Sequence, residues 1–433
     1  MADEIKKEIK KHYISRSESR KIAKENSKAI AHFEKQKRRK VRPEEYVTEM
    51  KDDRNILEFD DLHTYFFSDA GTVKAVNGVT FSVPAGSTVG VVGESGCGKS
   101  VTSLSLMQLV QAPSGQIVSG SIRFRADMFK RDSRGRKIPV YETEIGEDGK
   151  EKVKLNEKGK PVIRKNELGG NMYEMERQVV DIAKMPTEAM RSVRGREIAM
   201  IFQEPMTSLN PVFTIGNQLD EVGRLHIEGI SKQQVKARSI EMLNLVGIAD
   251  PEGVYKKYPH ELSGGMRQRV MIAMALAGNP RLIIADEPTT ALDVTIQAQI
   301  LDLLRNLKDR INGSVLLITH DLGVIAEMAD YVVVMYAGRI IEQGTASEIF
   351  HHPMHPYTIG LQKSKPTMDT KSDRLFNIPG NVPNPVDMPD FCYFRERCRS
   401  SCDKCAGKYP EMIQVSPTHK VACHLYAEEK SDE

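Results

Sequence analysis

The chain has 433 residues, of which 40% are hydrophobic and 28% are charged, and its formal net charge is +3. This length allows two to three domains, and a net charge this small gives no argument for nucleic-acid binding. No apolar run approaches the roughly 18 residues that indicate a membrane-spanning helix, and the N-terminal sequence lacks the apolar stretch of a secretory signal. We therefore expect a protein of the cytoplasm or of the cytoplasmic face of a membrane.

The first 53 residues form a charged N-terminal extension. Residues 1–50 carry 15 Lys and Arg against nine Asp and Glu, and residues 35–40 are a basic run. Ile5, Ile9 and Ile22 recur at a loosely helical spacing. We interpret the extension as a solvated helical tail, and the alternative is a helix that binds a membrane surface or a partner protein.

The stretch from residue 54 to residue 125 is rich in apolar segments typical of β-strands. Residues 126–175 break this pattern because they are dense in Lys, Glu and Gly, and we predict an insertion of short strands joined by Gly turns. Between residues 197 and 342, short apolar strands alternate with helical stretches, which indicates a parallel sheet. After about residue 364 the chain becomes Pro-rich and then Cys-rich, which indicates a separate small module.

A phosphate-binding loop follows the apolar strand that ends at residue 92. Residues 93–100 match the pattern G-x-x-x-x-G-K-[ST], and a helix is predicted to begin near Lys99. Glycines let the backbone approach phosphate oxygens closely, while the helix N-terminus favours negative charge. Lys99 is expected to reach the β and γ phosphates, and Ser100 to ligate Mg²⁺. The candidate ATP-binding residues are Gly93, Glu94, Ser95, Gly96, Cys97, Gly98, Lys99, Ser100 and Val101.

Two carboxylates end a second apolar strand, at residues 282–287. Such a strand can deliver Asp286 to the Mg²⁺ ion beside the phosphate-binding loop. Glu287 follows directly, where its carboxylate can polarise an attacking water molecule as a general base.

A second candidate anion site lies at Ser263, Gly264 and Gly265, just before a predicted helix. Ser263 is a good helix N-cap, and the two glycines expose backbone amides at the helix N-terminus. Together with the preceding motifs, this sequence resembles the signature of the ABC (ATP-binding cassette) ATPases. The resemblance implies that these three residues bind the γ-phosphate of an ATP molecule held by a partner subunit.

The ABC resemblance assigns several further residues. Gln203 matches the Q-loop, which senses Mg²⁺ or the attacking water and couples to a membrane partner, and His320 matches the switch histidine. The D-loop at the dimer interface is matched by Ala291, Leu292 and Asp293. An aromatic residue upstream of the phosphate-binding loop is expected to stack on adenine, and the candidates in order of preference are Phe66, Phe67 and Tyr65.

The same resemblance implies the fold, a P-loop α/β core with an antiparallel β subdomain. The ABC ATPase domain is expected at residues 54–364, and a helical subdomain at about 205–262 ends at the signature. A Cys-rich C-terminal module typical of oligopeptide transporters is expected at residues 365–433.

Past the cassette, the sequence resembles the oligopeptide/dipeptide importer branch of the ABC family. The resemblance is carried by residues 355–358, residues 378–380 and a late cysteine cluster, and residues 205–211 and 258–261 within the cassette fit the same branch. It implies an ATP-hydrolysing subunit that energises a peptide importer. Two transmembrane permease subunits, a second related ATPase subunit and an extracellular peptide-binding protein are the implied partners, and no nucleic acid is expected. An importer for another solute, such as a nickel chelate, and a soluble ABC ATPase remain alternatives.

Four cysteines in the C-terminal module, at positions 392, 398, 405 and 423, have the spacing C-x5-C-x6-C-x17-C. Four thiolates can hold a [4Fe–4S] cluster or a zinc ion, and free thiols are a third alternative. The resemblance implies an iron–sulfur cluster held by Cys392, Cys398, Cys405 and Cys423, far along the chain from the ATP motifs. Cys402 could replace Cys405. Three histidines precede this module, His351, His352 and His355. We expect them to lie in a solvated loop at the start of a helix.

Overall fold

The structure is a computed structural model that describes residues 15–145, 150–167, 169–290, 292–364 and 376–427, without the side chains of residues 205 and 206. Ile5, Ile9 and Ala291 therefore lie outside the described residues.

The N-terminal part of the chain builds an antiparallel sheet in the strand order β1-β8-β5-β2-β3. Residues 79–83 alternate between buried apolar and exposed polar side chains, as in a strand with one face on a core. The elements in chain order are α1 (Arg16–Lys37), α2 (Pro43–Tyr46), β1 (Val47–Thr48), β2 (Asn55–Ser68), β3 (Gly71–Pro84), β4 (Thr88–Val92), α3 (Lys99–Leu106), β5 (Gly115–Phe129), β6 (Thr143–Ile145), β7 (Glu151–Val153) and β8 (Met175–Asp181).

The second half of the chain, together with β4, forms an α/β core. Its elements are α4 (Thr187–Met190), β9 (Ile198–Ile201), α5 (Pro205–Ser208), α6 (Ile215–His226), α7 (Lys232–Leu245), α8 (Pro251–Lys256), α9 (Gly264–Ala277), β10 (Leu282–Asp286), α10 (Val294–Ile311), β11 (Ser314–Ile318), α11 (Leu322–Met328), β12 (Tyr331–Tyr336), β13 (Arg339–Thr345), α12 (Ala346–His351), α13 (Pro356–Lys363), β14 (Ile413–Gln414) and β15 (Lys420–Val421).

The core sheet has the strand order β14-β15-β13-β12-β4-β11-β10-β9, and its strands β12, β4, β11, β10 and β9 run parallel. Every residue of β4, β10 and β11 is buried. A parallel sheet covered on both faces requires such continuous apolar strands, so the predicted parallel core is confirmed. Because all five parallel strands point the same way, the loops that follow them meet at one edge of the sheet.

Helices α6 to α9 pack together beside the core sheet. Side-chain oxygens that accept backbone N–H groups cap all four of them, at Thr214, Ser231, Asp250 and Ser263. These caps fix where each helix starts, so the sequence determines the position of the 263–265 turn at the N-terminus of α9.

The predicted insertion consists of short bridged segments between β5 and β8, with Gly135 and Gly159 at positive φ. Its expected bounds are displaced by a few residues, because β5 continues to Phe129 and β8 starts at Met175. The insertion also contacts the helical region. Glu228 accepts hydrogen bonds from Lys137 Nζ (2.6 Å) and Tyr173 Oη (2.7 Å).

The N-terminal extension contacts the antiparallel sheet through α1. Asn26 Nδ2 donates to the carbonyl oxygen of Ser68 (2.7 Å), and Phe33 stacks on Phe67 with 6.1 Å between ring centroids. Gln116 Nε2 donates to Glu34 Oε1 (2.8 Å). The described part of the extension therefore contains a helix without a fully buried residue, and the contacts of this helix with the sheet were not predicted.

The Cys-rich region shares the core of the ATPase domain instead of standing apart from it. Strand β15 extends the core sheet by pairing with β13, and Cys392, Phe394 and Tyr409 belong to the same apolar cluster as the central strands. The buried Glu342 carboxylate, which is 0% exposed, also contacts His419 Nε2 at 2.8 Å. The expectation of a separate module is therefore wrong, because a sheet edge and a common core join the two parts.

One histidine prediction is also wrong. His355 is 2% exposed, and its Nδ1 accepts the backbone N–H of Tyr357 (3.0 Å) as the N-cap of α13. Burial lowers the pKa of His355 to about 3, so the ring is neutral. His351 and His352 are exposed, as expected.

Candidate active site

The phosphate-binding loop follows β4 and leads into α3, which begins at Lys99 as predicted. Gly93 and Gly98 have φ values of +154° and +100°, and a Cβ atom on either would lie 2.2 Å from a backbone oxygen. Only glycine fits such positions, so the loop can wrap closely around a small anion. Lys99 is 5% exposed, and its Nζ donates to the carbonyl oxygens of Gly93 (2.8 Å) and Glu94 (3.1 Å).

Cys97 lies inside this loop but is 1% exposed. Burial raises the pKa of its thiol, although the nearby Lys99 ammonium opposes the effect. A neutral, enclosed thiol is a poor nucleophile, so Cys97 acts as a small apolar filler of the loop.

Ser100 and Asp286 meet at the base of the loop, although 186 positions separate them in the chain. Ser100 Oγ donates to Asp286 Oδ1 at 3.0 Å. Asp286 is 4% exposed, and burial raises the pKa of its carboxyl group to about 6, with a further contribution from the charge of Glu287. Hydroxyl and carboxylate oxygens are the hard ligands that Mg²⁺ prefers, so this pair fits that ion.

Glu287 receives contacts from the ends of two other parallel strands. Gln203, which follows β9, donates from Nε2 to Glu287 Oε2 at 2.9 Å. His320, which follows β11, places Nδ1 3.4 Å from Glu287 Oε1. The structure therefore brings together the three residues that the sequence analysis proposed as catalytic.

The backbone at Glu287 is unusual, because its φ of +46° lies in the left-handed region. Such strained conformations concentrate at functional sites. Thr290, which sequence reasoning missed, donates from Oγ1 to Glu287 Oε2 at 2.9 Å. Gln268 was missed as well, and its Nε2 donates to the carbonyl oxygen of Pro288 at 2.6 Å. The Gln268 bond ties α9 to the loop that carries Glu287.

Ser263 caps α9 by accepting the backbone N–H of Met266 (3.4 Å), and it is exposed together with Gly264. Space is open around the position of a Gly264 Cβ atom, so a ligand from outside the chain can approach these amides. Asp293 is also exposed and caps α10 by accepting the N–H of Ile296 at 2.9 Å.

Among the three aromatic candidates for adenine stacking, two have partners within the chain. The Tyr65 hydroxyl is hydrogen-bonded to the Asn77 side chain (2.9 Å), and Phe67 stacks on Phe33. Phe66 is half-buried and lies against Gly115 on β5.

A cavity of about 710 Å³ opens beside the candidate active site, between the core sheet and the helical region. Gln203 and Asp286 line one end of it, and its apolar wall includes Met200, Phe202, Met271 and Met274. Phe202 in this wall is 36% exposed.

Cys392, Cys405 and Cys423 are buried, whereas Cys398 is half-buried and Cys402 is exposed. Burial raises the pKa of the Cys392 and Cys423 thiols to about 11, while a backbone N–H two residues further on opposes this effect at each of them. Within the described parts of the chain, no group of three or more His, Cys, Asp or Glu side chains is placed to hold a metal ion. The described residues therefore do not reveal the predicted metal site.

None of the helices in the described ranges is long and apolar enough to cross a membrane. The ABC transporter family profile matches residues 76–290, and the profile of the oligopeptide/dipeptide transporter C-terminal region matches residues 341–405.

Two relatives come from Bacillus subtilis (strain 168). The oligopeptide transport ATP-binding protein AppD is 43% identical over 87% of this chain and 99% of its own length. The oligopeptide transport ATP-binding protein OppD is 44% identical over 86% of this chain and 88% of its own. Among solved structures, a dimer of MJ0796, a bacterial ABC transporter cassette, is 21% identical over 67% of this chain and 98% of that one, with a TM-score of 0.49. This chain belongs to the ABC transporter family, among the ATP-binding proteins of the oligopeptide/dipeptide branch.

Proposed function

We propose that this chain is the ATP-hydrolysing subunit of a membrane importer for oligopeptides or dipeptides. The observation that carries the hydrolytic part of the proposal is the convergence of Gln203 and His320 on the Glu287 carboxylate, next to Asp286. The peptide specificity rests on the membership of the chain in the oligopeptide/dipeptide branch.

In the proposed reaction, the triphosphate of ATP occupies residues 93–101, and Lys99 neutralises the β and γ phosphates. Ser100, Asp286 and Gln203 are the proposed contacts of Mg²⁺, which would offset charge on the phosphate oxygens. Glu287 takes a proton from water as the water oxygen bonds to the γ-phosphorus, and the bond to the β–γ bridging oxygen breaks. His320 and Gln203 hold the Glu287 carboxylate and orient the water, and Phe66 stacks on adenine.

Hydrolysis is proposed to need a second ATPase subunit. Ser263 and Gly264 are exposed and Gly265 is half-buried at the N-terminus of α9, where backbone amides and the helix dipole favour an anion. These residues would contact the γ-phosphate held by the partner subunit, and Asp293 would lie along the dimer interface. A related ATPase chain is the proposed partner.

The cavity beside Gln203 is the proposed contact of a transmembrane permease subunit. Its apolar wall fits an apolar segment of the permease, and its other end reaches the active site. Occupation of the cavity could therefore move Gln203 and so couple transport to hydrolysis. Two permease subunits would hold the ATPase pair at the cytoplasmic face of the membrane, and an extracellular binding protein would deliver peptide.

We also propose that Cys392, Cys398, Cys405 and Cys423 hold a [4Fe–4S] cluster. The backbone N–H groups of Phe394, Ser400 and Leu425 face the first, second and fourth of these thiols, respectively, and such donors stabilise thiolate charge. The spacing of the four cysteines and the resemblance to the oligopeptide/dipeptide branch support the cluster, although the described residues show no group of side chains placed to hold a metal ion. The cluster would add folding free energy to the C-terminal region.

The proposal is tested by purifying the tagged chain from membranes that contain the permease and binding-protein subunits. We expect the wild type to retain both permeases, and Phe202→Glu to lose them because a charge enters the apolar cavity. Leu155→Glu is the matched control, since Leu155 is exposed in the insertion, away from this cavity. Retention of the permeases by Phe202→Glu, or their absence from the wild type, would contradict the proposed docking.

A further inference from the structure

We propose that Arg397 is a positioning residue for nucleotide binding, because it holds and neutralises the Glu94 carboxylate of the phosphate-binding loop. This inference rests on the proposed function only in that ATP binds at this loop. It places a residue of the C-terminal region, between Cys392 and Cys398, in direct contact with the ATP site.

The guanidinium of Arg397 forms two parallel hydrogen bonds with Glu94. Nη1 donates to Oε2 at 2.7 Å, and Nη2 donates to Oε1 at 3.0 Å. Two further bonds fix the guanidinium, from Nε to the carbonyl oxygen of Pro379 (2.9 Å) and from Nη1 to the Tyr336 hydroxyl (3.3 Å). Arg397 is 7% exposed, so this fork is enclosed and rigid.

A second residue beyond the cassette holds the same position of the loop. The Tyr357 hydroxyl accepts the backbone N–H of Glu94 at 2.9 Å. The carbonyl oxygen of Glu94 accepts a hydrogen bond from Lys99, so partners fix both backbone polar groups of Glu94 and its side chain. Tyr357 and Arg397 therefore determine how the loop begins, before its amides turn toward a phosphate.

Charge explains why Arg397 matters for an anionic ligand. Glu94 contributes a carboxylate to a loop that must receive several phosphate charges, and like charges so close repel each other. Arg397 cancels that repulsion within the folded chain. Removing the Arg397 side chain leaves the Glu94 carboxylate, which is only 27% exposed, without a partner and beside the bound triphosphate.

The test measures the Kd of a non-hydrolysable ATP analogue by calorimetry on the full chain. We expect Arg397→Ala to raise this Kd about tenfold or more, which is about 1.4 kcal/mol per factor of ten. Arg399→Ala is the matched control, because Arg399 lies over the Phe376 ring in the same region of the chain. The Kd of this control variant for the analogue should stay within about twofold of the wild-type value.

The double variant Glu94→Gln/Arg397→Ala separates charge neutralisation from a general structural role. It should bind the analogue several-fold more tightly than Arg397→Ala, since the unpaired carboxylate is gone. In the assembled transporter, Arg397→Ala should raise KM for ATP far more than it lowers kcat. A Kd for Arg397→Ala within about twofold of the wild type, or a double variant as weak as the single one, would overturn the inference.

Thermal unfolding shows whether each variant is folded. If Arg397→Ala does not fold, Arg397→Lys replaces it, because a single ammonium cannot form the fork. Weaker binding by Arg397→Lys than by the wild type, with recovery in Glu94→Gln/Arg397→Lys, supports the inference, and the absence of either effect refutes it. A wild-type chain that binds no ATP analogue would refute the proposed function instead.

Discussion

Replacing Asp286 by Asn should stabilise the metal-free protein at high pH, although it removes a proposed Mg²⁺ ligand. Burial raises the pKa of this carboxyl group from 3.8 to about 6. The carboxyl group therefore favours folding while it is protonated, and this advantage is lost as the pH rises through the folded-state pKa. Asn carries no charge, and its side-chain oxygen can still accept the hydrogen bond from Ser100.

The size of the effect follows from the two pKa values by proton linkage. Relative to low pH, where the group is protonated in both states, the raised pKa lowers the free energy of unfolding of the wild type by about 1.6 kcal/mol at pH 5 and about 3 kcal/mol at pH 8. The free energy of unfolding of Asp286→Asn, relative to that of the wild type, should therefore be about 1.4 kcal/mol higher at pH 8 than at pH 5.

The assay is urea unfolding in EDTA at the two pH values, with the exposed Asp302→Asn as the control. The difference in free energy of unfolding between Asp302→Asn and the wild type should be nearly the same at both pH values, because Asp302 is a surface residue. An Asp286→Asn protein that is less stable than the wild type at pH 8, or whose advantage does not grow with pH, would refute this reasoning.

Three further predictions concern the site, the insertion and the cysteines. Glu287→Gln should bind ATP but lower phosphate release by the assembled transporter about 100-fold or more, because the general base is gone, and near wild-type release would exclude that role. Replacing residues 131–173 by a short Gly/Ser linker should keep basal hydrolysis within about threefold, since the described residues of the insertion contact the helical region at Glu228. A folded variant that no longer binds nucleotide would contradict this. Anaerobically purified wild type should contain about four iron and four sulfide per chain, and Cys423→Ser should lose both yet still bind nucleotide. Finding one zinc ion per chain without sulfide, or no metal while the C-terminal region remains ordered, would contradict the proposed cluster.

Local sequence patterns predicted the core of the fold. The continuous apolar runs at β4, β10 and β11 identify buried parallel strands, because no half-exposed strand would be wholly apolar. The strand that ends at Asp286 predicts that this carboxylate lies beside the phosphate-binding loop, since residues at the ends of parallel strands share one edge of the sheet. Gln203 and His320 were assigned by the ABC resemblance, and the structure adds that both contact Glu287.

The contacts between distant segments could not be predicted in this way. The sequence around Arg397 shows a charged residue among cysteines, but its partner Glu94 lies 303 positions earlier. The docking of α1 depends on single polar groups such as Asn26, and these leave no periodic signal. Thr290 was missed for a related reason, because one hydroxyl in a loop has no pattern that marks its contact with Glu287.

The central claim is that ATP hydrolysis by this chain drives peptide import. The most direct measurement is the ATPase rate of the chain in lipid vesicles with its permeases and ATPase partner, with and without peptide-loaded binding protein. The account predicts that the loaded binding protein raises the rate several-fold, and that Glu287→Gln in this chain abolishes the increase. An ATPase rate that does not change with peptide but rises with another solute, such as a nickel chelate, would contradict the claim.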